Sequence, residues 1–356
     1  MGNRRPAPGS SLLPHWYTPC DLRPMWACAP CRAKYTWNTC SKDGAVVSKV
    51  VPLRRLVPWV SALGLLVLAR ASLEPRRLQF RIVRISLPRV DAPLTGLRLA
   101  FLTDFHIGGP GPSAALTVAA LEQLRAWEPD IVLLGGDYFD QGRIVPTTVF
   151  DSLPLFPRVY AVLGNHDHRR GPENASAIAR FLASRGAIVL QNERLLVTVE
   201  RNHRAMTVEL VGLDDPYTGL DDPSLLANPP GAFPRILLAH APLLLDRIPI
   251  GCADLALFGH THWGQIRLAP SRQIGLLDAA WYFDRIRRKP HSRLQRGWFW
   301  ERGMLAYVSA GIGLTQLPFR LFAPPEVLLL EFDAEAMDPR WPCDDPRRFV
   351  RVANSW

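Results

Sequence analysis

Five short apolar runs in the sequence end abruptly in side chains that bind metal ions. These side chains are two carboxylates, one amide and four imidazoles: Asp104, Asp137, Asn165, His106, His240, His260 and His262. His166 is a further imidazole in the same clusters. Oxygen and imidazole groups suit Mn, Fe, Zn or Co, and the lack of a thiolate among them disfavours a structural zinc site. Seven such groups exceed the number that one ordinary metal ion uses, so the pattern predicts two adjacent divalent ions.

Two adjacent ions would give the site a definite chemistry. Ions about 3.5 to 4 Å apart need one carboxylate between them to offset their repulsion. Asp137 is the candidate bridge. A water held between the ions becomes a hydroxide near neutral pH and can act as a nucleophile. The residue types therefore predict metal-assisted hydrolysis.

Alternating strands and helices must position these side chains. Each of the five clusters follows a run of β-branched residues or leucines, as strands do. Residues 113–127 and 172–185 have helical patterns, and the first pattern places on one face Leu116, Ala120, Leu124 and Trp127. Strand and helix in alternation predict an α/β domain, in which the loops after the strands converge on one edge. We therefore expect the clusters to meet.

The clusters also resemble the signature blocks of the calcineurin-like metallophosphoesterases, in the same order. The blocks are Asp104-x-His106, Gly136-Asp137-x-x-Asp140, Gly164-Asn165-His166-Asp167, His240 and Gly259-His260-Thr261-His262. The resemblance covers about residues 80–333. Its last part, LPFRLFAPPEVLLLEF, is similar to the closing region of a bacterial branch of exported or membrane-attached phosphodiesterases. The fold that the resemblance implies is α/β, with two packed mixed β-sheets flanked by helices.

The resemblance also implies hydrolysis of phosphomonoester, phosphodiester or pyrophosphate bonds, and a role for each residue of the blocks. One ion would be bound by Asp104, His106, His262 and the bridging Asp137. The second ion would be bound by Asn165, His240, His260 and the same Asp137. His166 would face the phosphoryl oxygens or the leaving group instead of binding metal, and Asp167 would fix its tautomer. Asp140 is equally consistent with a role at the site and with a loop cap.

Catalysis is favoured over a second class of function, a non-catalytic metal-binding scaffold. A scaffold of this fold would be expected to lose ligands, and this sequence retains every ligand of the pattern.

Two residues next to the blocks, Trp263 and His168, need a separate interpretation. We expect Trp263, beside a ligand, to line the substrate cleft, with packing against a neighbouring loop as the alternative. We expect His168 to be an exposed loop histidine rather than a phosphate contact.

The net charge of +10 is concentrated near the start of the chain. Residues 1–77 contain 12 Lys/Arg and 3 Asp/Glu, against 30 and 29 in residues 78–356. The main body therefore lacks the overall basic charge that is typical of proteins that bind duplex nucleic acid.

Residues 1–48 show neither helical nor strand periodicity, and we predict an unassigned, disordered leader. Its four cysteines contain one CxxC pair instead of the usual two, so zinc is not expected.

Residues 49–77 read as a signal or signal-anchor segment. Arg54-Arg55 precede the uncharged run 56–69, and Ala69-Arg70-Ala71 has the form of a signal-peptidase site. The run of 14 residues is shorter than the roughly 20 that span a bilayer and fits an h-region. An export signal is therefore predicted, with a signal-anchor or a twin-arginine signal as alternatives. Either would place the phosphoesterase domain, residues 78–335, outside the cytoplasmic membrane, followed by a C-terminal tail, residues 336–356.

A segment near the end of the domain gives an indication of the substrate. Residues 281–300 contain six Arg/Lys against one Asp, with aromatic residues at both ends. Aromatic residues around basic ones suit contact with a membrane surface or an anionic lipid headgroup. Alternatives are nucleic acid, as for a nuclease, and a surface insertion whose aromatic residues pack into the core. A lipid-linked or cell-envelope phosphoester is thus the favoured substrate, and nucleic acid is not expected as a partner.

Overall fold

The computed structural model describes residues 53–87, 94–267, 294, 296–338, 340 and 345–355. The predicted leader 1–48 and most of the basic segment 281–300 lie outside these residues. The helices are α1 (Leu53–Leu73), α2 (Ser113–Trp127), α3 (Asn165–His168) and α4 (Pro172–Ala183). The strands are β1 (Gln79–Ile85), β2 (Arg98–Leu102), β3 (Ile131–Leu134), β4 (Val159–Ala161), β5 (Ala187–Val189), β6 (Glu193–Arg201), β7 (Arg204–Gly212), β8 (Arg235–Leu238), β9 (Leu255–Phe258), β10 (Gly297–Glu301), β11 (Met304–Val308), β12 (Glu326–Phe332) and β13 (Val350–Ser355).

The strands form two mixed sheets. The seven-stranded sheet has the order β13-β1-β12-β2-β3-β4-β5, and the six-stranded sheet has the order β10-β11-β9-β8-β7-β6. Strands β2 to β5 are parallel neighbours, as are β7, β8, β9 and β11. Two mixed sheets with flanking helices confirm the predicted α/β fold.

Strand β3 shows why the central strands are apolar at every position. All four of its residues are buried. Ile131 and Leu133 belong to the core that also includes Leu238 and Leu257 of the other sheet. Val132 and Leu134 belong to the core that includes residues of α2 and α4. Because successive side chains point to opposite faces, a strand covered on both faces needs an apolar residue at each position.

Helix α2 has the bounds and the buried face that its sequence predicts. It runs from Ser113 to Trp127, and the four residues of the predicted face are all buried. Helix α4 begins at Pro172 as predicted and ends at Ala183, two residues earlier than expected. The local pattern therefore predicts both helices, because one apolar stripe faces the sheet.

The C-terminal segment is not a tail outside the domain. Strand β13 pairs antiparallel with β1 and forms an edge of the seven-stranded sheet. Just before it, Phe349 stacks on Trp300, with ring centroids 5.1 Å apart. The predicted boundary at residue 335 is therefore wrong, since part of the predicted tail completes the sheet.

Helix α1 is longer than the apolar run that predicted it. It contains 21 residues, about the length that spans a bilayer, because the helix continues through Arg70. The predicted cleavage site lies inside the helix, where Ala71 is buried and its carbonyl accepts the backbone N–H of Arg320 at 3.0 Å. Glu74, also buried, accepts the N–H of Ala323 at 2.7 Å. The end of α1 is thus hydrogen-bonded to the segment before β12.

Candidate metal centre

The five sequence clusters lie where five strands end. The candidate residues follow β2, β3 and β4 of one sheet and β8 and β9 of the other. Side chains of four of the clusters lie together in two groups, Asp104 with His106 and His262, and Asp104 with Asp137 and His240, and within each group the ligand atoms are within 4.8 Å of one another. The fold therefore brings the clusters together as expected, because the ends of these strands in both sheets lie at one edge.

One group of candidate ligands surrounds Asp104. His106 Nε2 lies 3.0 Å from His262 Nε2. Asp104 Oδ1 lies 3.4 Å from His262 Nε2 and 4.0 Å from His106 Nε2. All three side chains are buried. Two imidazole nitrogens and a carboxylate oxygen that converge in this way can direct their lone pairs to one cation.

The second group surrounds Asn165. Its Oδ1 lies 3.1 Å from His240 Nε2 and 2.8 Å from His260 Nδ1. His240 Nδ1 donates to the carbonyl of Gly135 at 2.8 Å. A donor bond of this kind fixes the ring and leaves Nε2 directed to the site as a ligand atom.

Asp137 lies between the two groups. Its Oδ2 is 3.5 Å from His106 Nε2 and 3.2 Å from His240 Nε2, which belong to different groups. Its Oδ1 accepts the backbone N–H of His166 at 2.8 Å. One carboxylate oxygen that faces both groups has the position of a bridge between two ions.

The backbone at the site is strained. Positive φ angles occur at five of the seven predicted ligands: Asp104 (+56°), His106 (+45°), Asp137 (+57°), His260 (+68°) and His262 (+49°). Such conformations persist only where the surroundings enforce them, and they cluster at functional sites. Two block glycines allow the close packing. A Cβ on Gly164 would clash with Asp137 Oδ1, and a Cβ on Gly259 would clash with Asp104 Oδ2.

Charges at the site keep some imidazoles neutral. Burial and the charge of His240 lower the pKa of His260 to about 3. Burial and the charge of His106 hold the pKa of His262 well below its usual value. Burial alone would raise the pKa of Asp137, but the charges of His240 and His166 outweigh it and hold the pKa well below normal. The Asp137 carboxylate and the neutral imidazoles of His260 and His262 are donor groups that fit divalent cations.

The contacts of His166 correct the role predicted for Asp167. The backbone N–H of Gln141 donates to His166 Nδ1 at 3.1 Å, and Asp140 Oδ1 lies 3.5 Å from the same nitrogen. Asp167 instead accepts three backbone N–H groups, from Asp137, Tyr138 and Gly164. Gln141 and Asp140 therefore orient the ring, while Asp167 joins the loops after β3 and β4.

Asp140 is the site residue that the sequence left undecided. Its Oδ1 lies 3.4 Å from His106 Nδ1, as well as beside His166. Burial would raise its pKa, but hydrogen bonding to these two imidazoles keeps the pKa well below the usual range. A carboxylate behind a candidate metal-binding imidazole fixes which ring nitrogen faces the ion. The available signal was its spacing in the Asp137-x-x-Asp140 block.

Trp263 does not line a cleft. The ring is buried, and its Nε1 donates to the carbonyl of Val308 at 2.7 Å. The guanidinium groups of Arg81 and Arg296 lie 4.9 and 4.8 Å from the ring centroid. The cleft prediction is therefore wrong and the packing alternative is right, because the indole is part of the core between the sheets.

Two contacts near the second group were not predicted. His168 Nε2 lies 2.6 Å from Asp214 Oδ1, and both side chains are less than 10% accessible. The expectation of an exposed His168 is therefore wrong. The ring of Tyr217 lies against His260, with centroids 4.6 Å apart. Both contacts come from the loop after β7, which carries no sequence motif.

The aromatic residues at the end of the basic segment pack within the fold. Trp298, in β10, lies 4.7 Å from the ring of Tyr307. Trp300 stacks on Phe349. This end of 281–300 thus follows the packing alternative rather than the predicted membrane contact. The aromatic residues at the other end, 281–283, lie outside the described residues.

Comparison with known proteins bears on the same residues. The sequence model of the calcineurin-like phosphoesterase family matches residues 97–264, from the start of β2 to just past the last candidate ligand. Phosphodiesterase YaeI of Escherichia coli is 31% identical over 196 residues, which are 53% of this chain and 69% of that protein. The chain belongs to the calcineurin-like phosphoesterase family.

Other relatives of this calcineurin-like phosphoesterase are named for a pyrophosphatase activity or for a transmembrane location. The UDP-2,3-diacylglucosamine pyrophosphatase LpxG of Chlamydia trachomatis is 25% identical over 305 residues, 72% of this chain and 90% of that protein. A transmembrane protein with metallophosphoesterase domain of Danio rerio is 28% identical over 262 residues, 69% of this chain and 55% of that protein. As a member of this family, the chain is a metal-dependent phosphoric ester hydrolase.

Proposed function

We propose that the chain hydrolyses phosphoester or pyrophosphate bonds with two divalent ions. The first ion would be bound by Asp104, His106, His262 and Asp137, and the second by Asn165, His240, His260 and Asp137. The single observation that carries the proposal is the position of Asp137 Oδ2, 3.5 Å from one group and 3.2 Å from the other. The identity of the ions is set by availability, since these ligands accept Mn, Fe, Zn or Co.

The chain itself would orient the substrate and supply a proton. When bound, the ions provide a water nucleophile that is active near neutral pH and neutralise charge on the phosphoryl oxygens. Because Gln141 donates to His166 Nδ1, the proton of a neutral ring lies on Nε2. From there a neutral His166 would donate a hydrogen bond to a phosphoryl oxygen, whereas the imidazolium form, with a proton on both nitrogens, would give a proton to the leaving group and become neutral. Asp140, beside the ring, would stabilise the imidazolium form.

The proposed location is a membrane, with α1 as an anchor that stays on the protein. Along α1, large apolar side chains are exposed, including Trp59 at 76% and Leu66 at 68%. A continuous exposed apolar surface is stable when lipid covers it. An anchor would keep the catalytic domain at the membrane, outside the cytoplasm if the segment acts as an export signal-anchor. A lipid-linked or cell-envelope phosphodiester or pyrophosphate is the proposed substrate, and the name of the relative LpxG supports this class.

The test uses purified full-length protein, Mn²⁺ and bis-p-nitrophenyl phosphate. We expect hydrolysis that chelation of the metal abolishes. Asp137→Asn should abolish it, because an amide bridges two cations poorly. Asp130→Asn is the matched control, since Asp130 is a buried carboxylate just before the same strand, and it should retain activity. Activity of Asp137→Asn equal to that of the control would refute the proposal. A panel of mono-, di- and pyrophosphate esters would then define the substrate class.

A further inference from the structure

Arg320 is a buried cation beside the candidate metal centre. Its side chain is fully buried, and Nη1 donates to the carbonyl of Ala323 at 2.8 Å. Nη2 faces three carbonyls of one loop, those of Ala310 (2.9 Å), Gly311 (3.3 Å) and Gly313 (2.5 Å). Nη2 also lies 3.4 Å from Nδ1 of the candidate ligand His262. Its planar donors therefore hold one loop and contact one candidate ligand.

That loop, residues 309–313, lies directly against Asp104. Ile312 N–H donates to the carbonyl of Thr103 at 3.0 Å, and Gly313 N–H donates to that of Asp104 at 2.6 Å. A Cβ on Gly311 would come within 2.5 Å of Asp104 Cβ. Asp104 has a φ of +56°, and such strain persists only when the surroundings enforce it. The 309–313 loop is therefore part of what keeps Asp104 in place.

The buried carboxylate of Glu326 binds donor groups of the same loop. Glu326 Oε1 accepts the hydroxyl of Ser309 at 3.1 Å and the N–H of Ala310 at 3.0 Å. Arg320 thus binds the loop's carbonyls and Glu326 binds its donors. Because a guanidinium stays protonated at neutral pH, a full positive charge is buried at Arg320. Burying a full charge costs free energy, so an apolar side chain would fill the same space at a lower cost. The charge therefore indicates a role beyond filling space.

We infer that Arg320 is a positioning residue of the metal centre. It holds the 309–313 loop against Asp104, so that Asp104 keeps the place from which it would bind the first ion. The inference rests on the proposed function, since it presumes that this group binds metal. Groups that hold metal ligands in place typically change metal affinity by about 10-fold to 100-fold when they are removed.

The experiment compares two buried arginines in the full-length chain. Arg235 is the control, because it is 2% accessible and also donates to backbone carbonyls, those of Asn228 and Cys252, at the start of β8. Arg320→Met and Arg235→Met should both lower the thermal unfolding temperature. Only Arg320→Met should weaken Mn²⁺ binding, by about 10-fold or more, in a titration that measures free Mn²⁺ by electron paramagnetic resonance. Arg320→Lys should fall between Arg320→Met and the unaltered protein.

The outcomes separate the two proposals. An unaltered protein that binds no Mn²⁺ would refute the proposed function itself. If it binds Mn²⁺ and Arg320→Met binds equally tightly, only the positioning role is refuted. Equal weakening in Arg320→Met and Arg235→Met would also refute the role, because general destabilisation would explain it. Should Arg320→Met fail to fold, the Mn²⁺ affinity of Arg320→Lys decides: an affinity equal to that of the unaltered protein would overturn the inference.

Discussion

His106 and His262 are 156 positions apart in the chain, and their Nε2 atoms lie 3.0 Å from each other in the fold. A hydrogen bond between two imidazole nitrogens needs one proton, whereas a cation lets both rings offer a lone pair. Asp104 Oδ1 lies 3.4 Å from the same His262 nitrogen, so a carboxylate oxygen and two imidazole nitrogens converge at this point. The opposed rings thus favour an ion at the first group of ligands.

Replacement of His262 should remove one ion and leave the other. In His262→Ala the second group, around Asn165, keeps its own donors, so we expect the bound metal to fall from two ions to one per chain. Metal analysis after gel filtration in Mn²⁺ measures this ratio. His203→Ala, in the exposed turn between β6 and β7, is the control and should keep both ions. Two ions in His262→Ala would contradict the ligand assignment.

Replacement of His166 should abolish turnover but not metal binding. Its ring is held by Gln141 and Asp140, and its backbone N–H alone contacts the candidate bridge Asp137. Loss of a general acid typically slows a reaction by about 100-fold to 10,000-fold. We therefore expect a fall of this size in kcat for His166→Ala, with the metal content unchanged. Loss of metal in this variant would identify His166 as a ligand instead.

A single methyl group at Gly164 should disable the site. Its Cβ would clash with Asp137 Oδ1, whereas Gly231 has nothing within 4 Å of the same position. We expect Gly164→Ala to lose Mn²⁺ affinity, because the bridging carboxylate must move, while Gly231→Ala binds Mn²⁺ normally. Isothermal titration of both variants gives the comparison. Normal affinity in Gly164→Ala would show that Asp137 can move without loss of function.

Removal of the apolar part of α1 should release an active enzyme from the membrane. A chain that begins at residue 70 keeps Ala71 and Glu74, which are hydrogen-bonded to Arg320 and Ala323. We expect it to stay in the supernatant after ultracentrifugation with lipid vesicles, while the full chain sediments. Its hydrolysis of a soluble diester should match that of the full chain. A chain that begins at residue 78 should be less stable, because the N–H of Ala323 loses its acceptor.

The sequence by itself determined which residues could bind metal and which strands and helices position them. The side-chain types of the five blocks restrict the ligands, and the strand and helix patterns predict an α/β sheet edge where blocks such as Asp104-x-His106 meet. The bounds of α2 followed as well, because its apolar stripe is a local property. Each of these predictions depends only on residues near one another in the chain, or on a rule that applies to every such sheet.

Only the tertiary structure decided which atom faces which. Asp140 rather than Asp167 lies beside His166, because the backbone of α3 directs the Asp167 carboxylate towards three N–H groups. Trp263 packs against two arginines from distant segments, and β13 pairs with β1 from the other end of the chain. The hold of Arg320 on the 309–313 loop is likewise non-local. Such contacts depend on backbone angles and on the register between distant segments, and these are fixed only when the whole core packs.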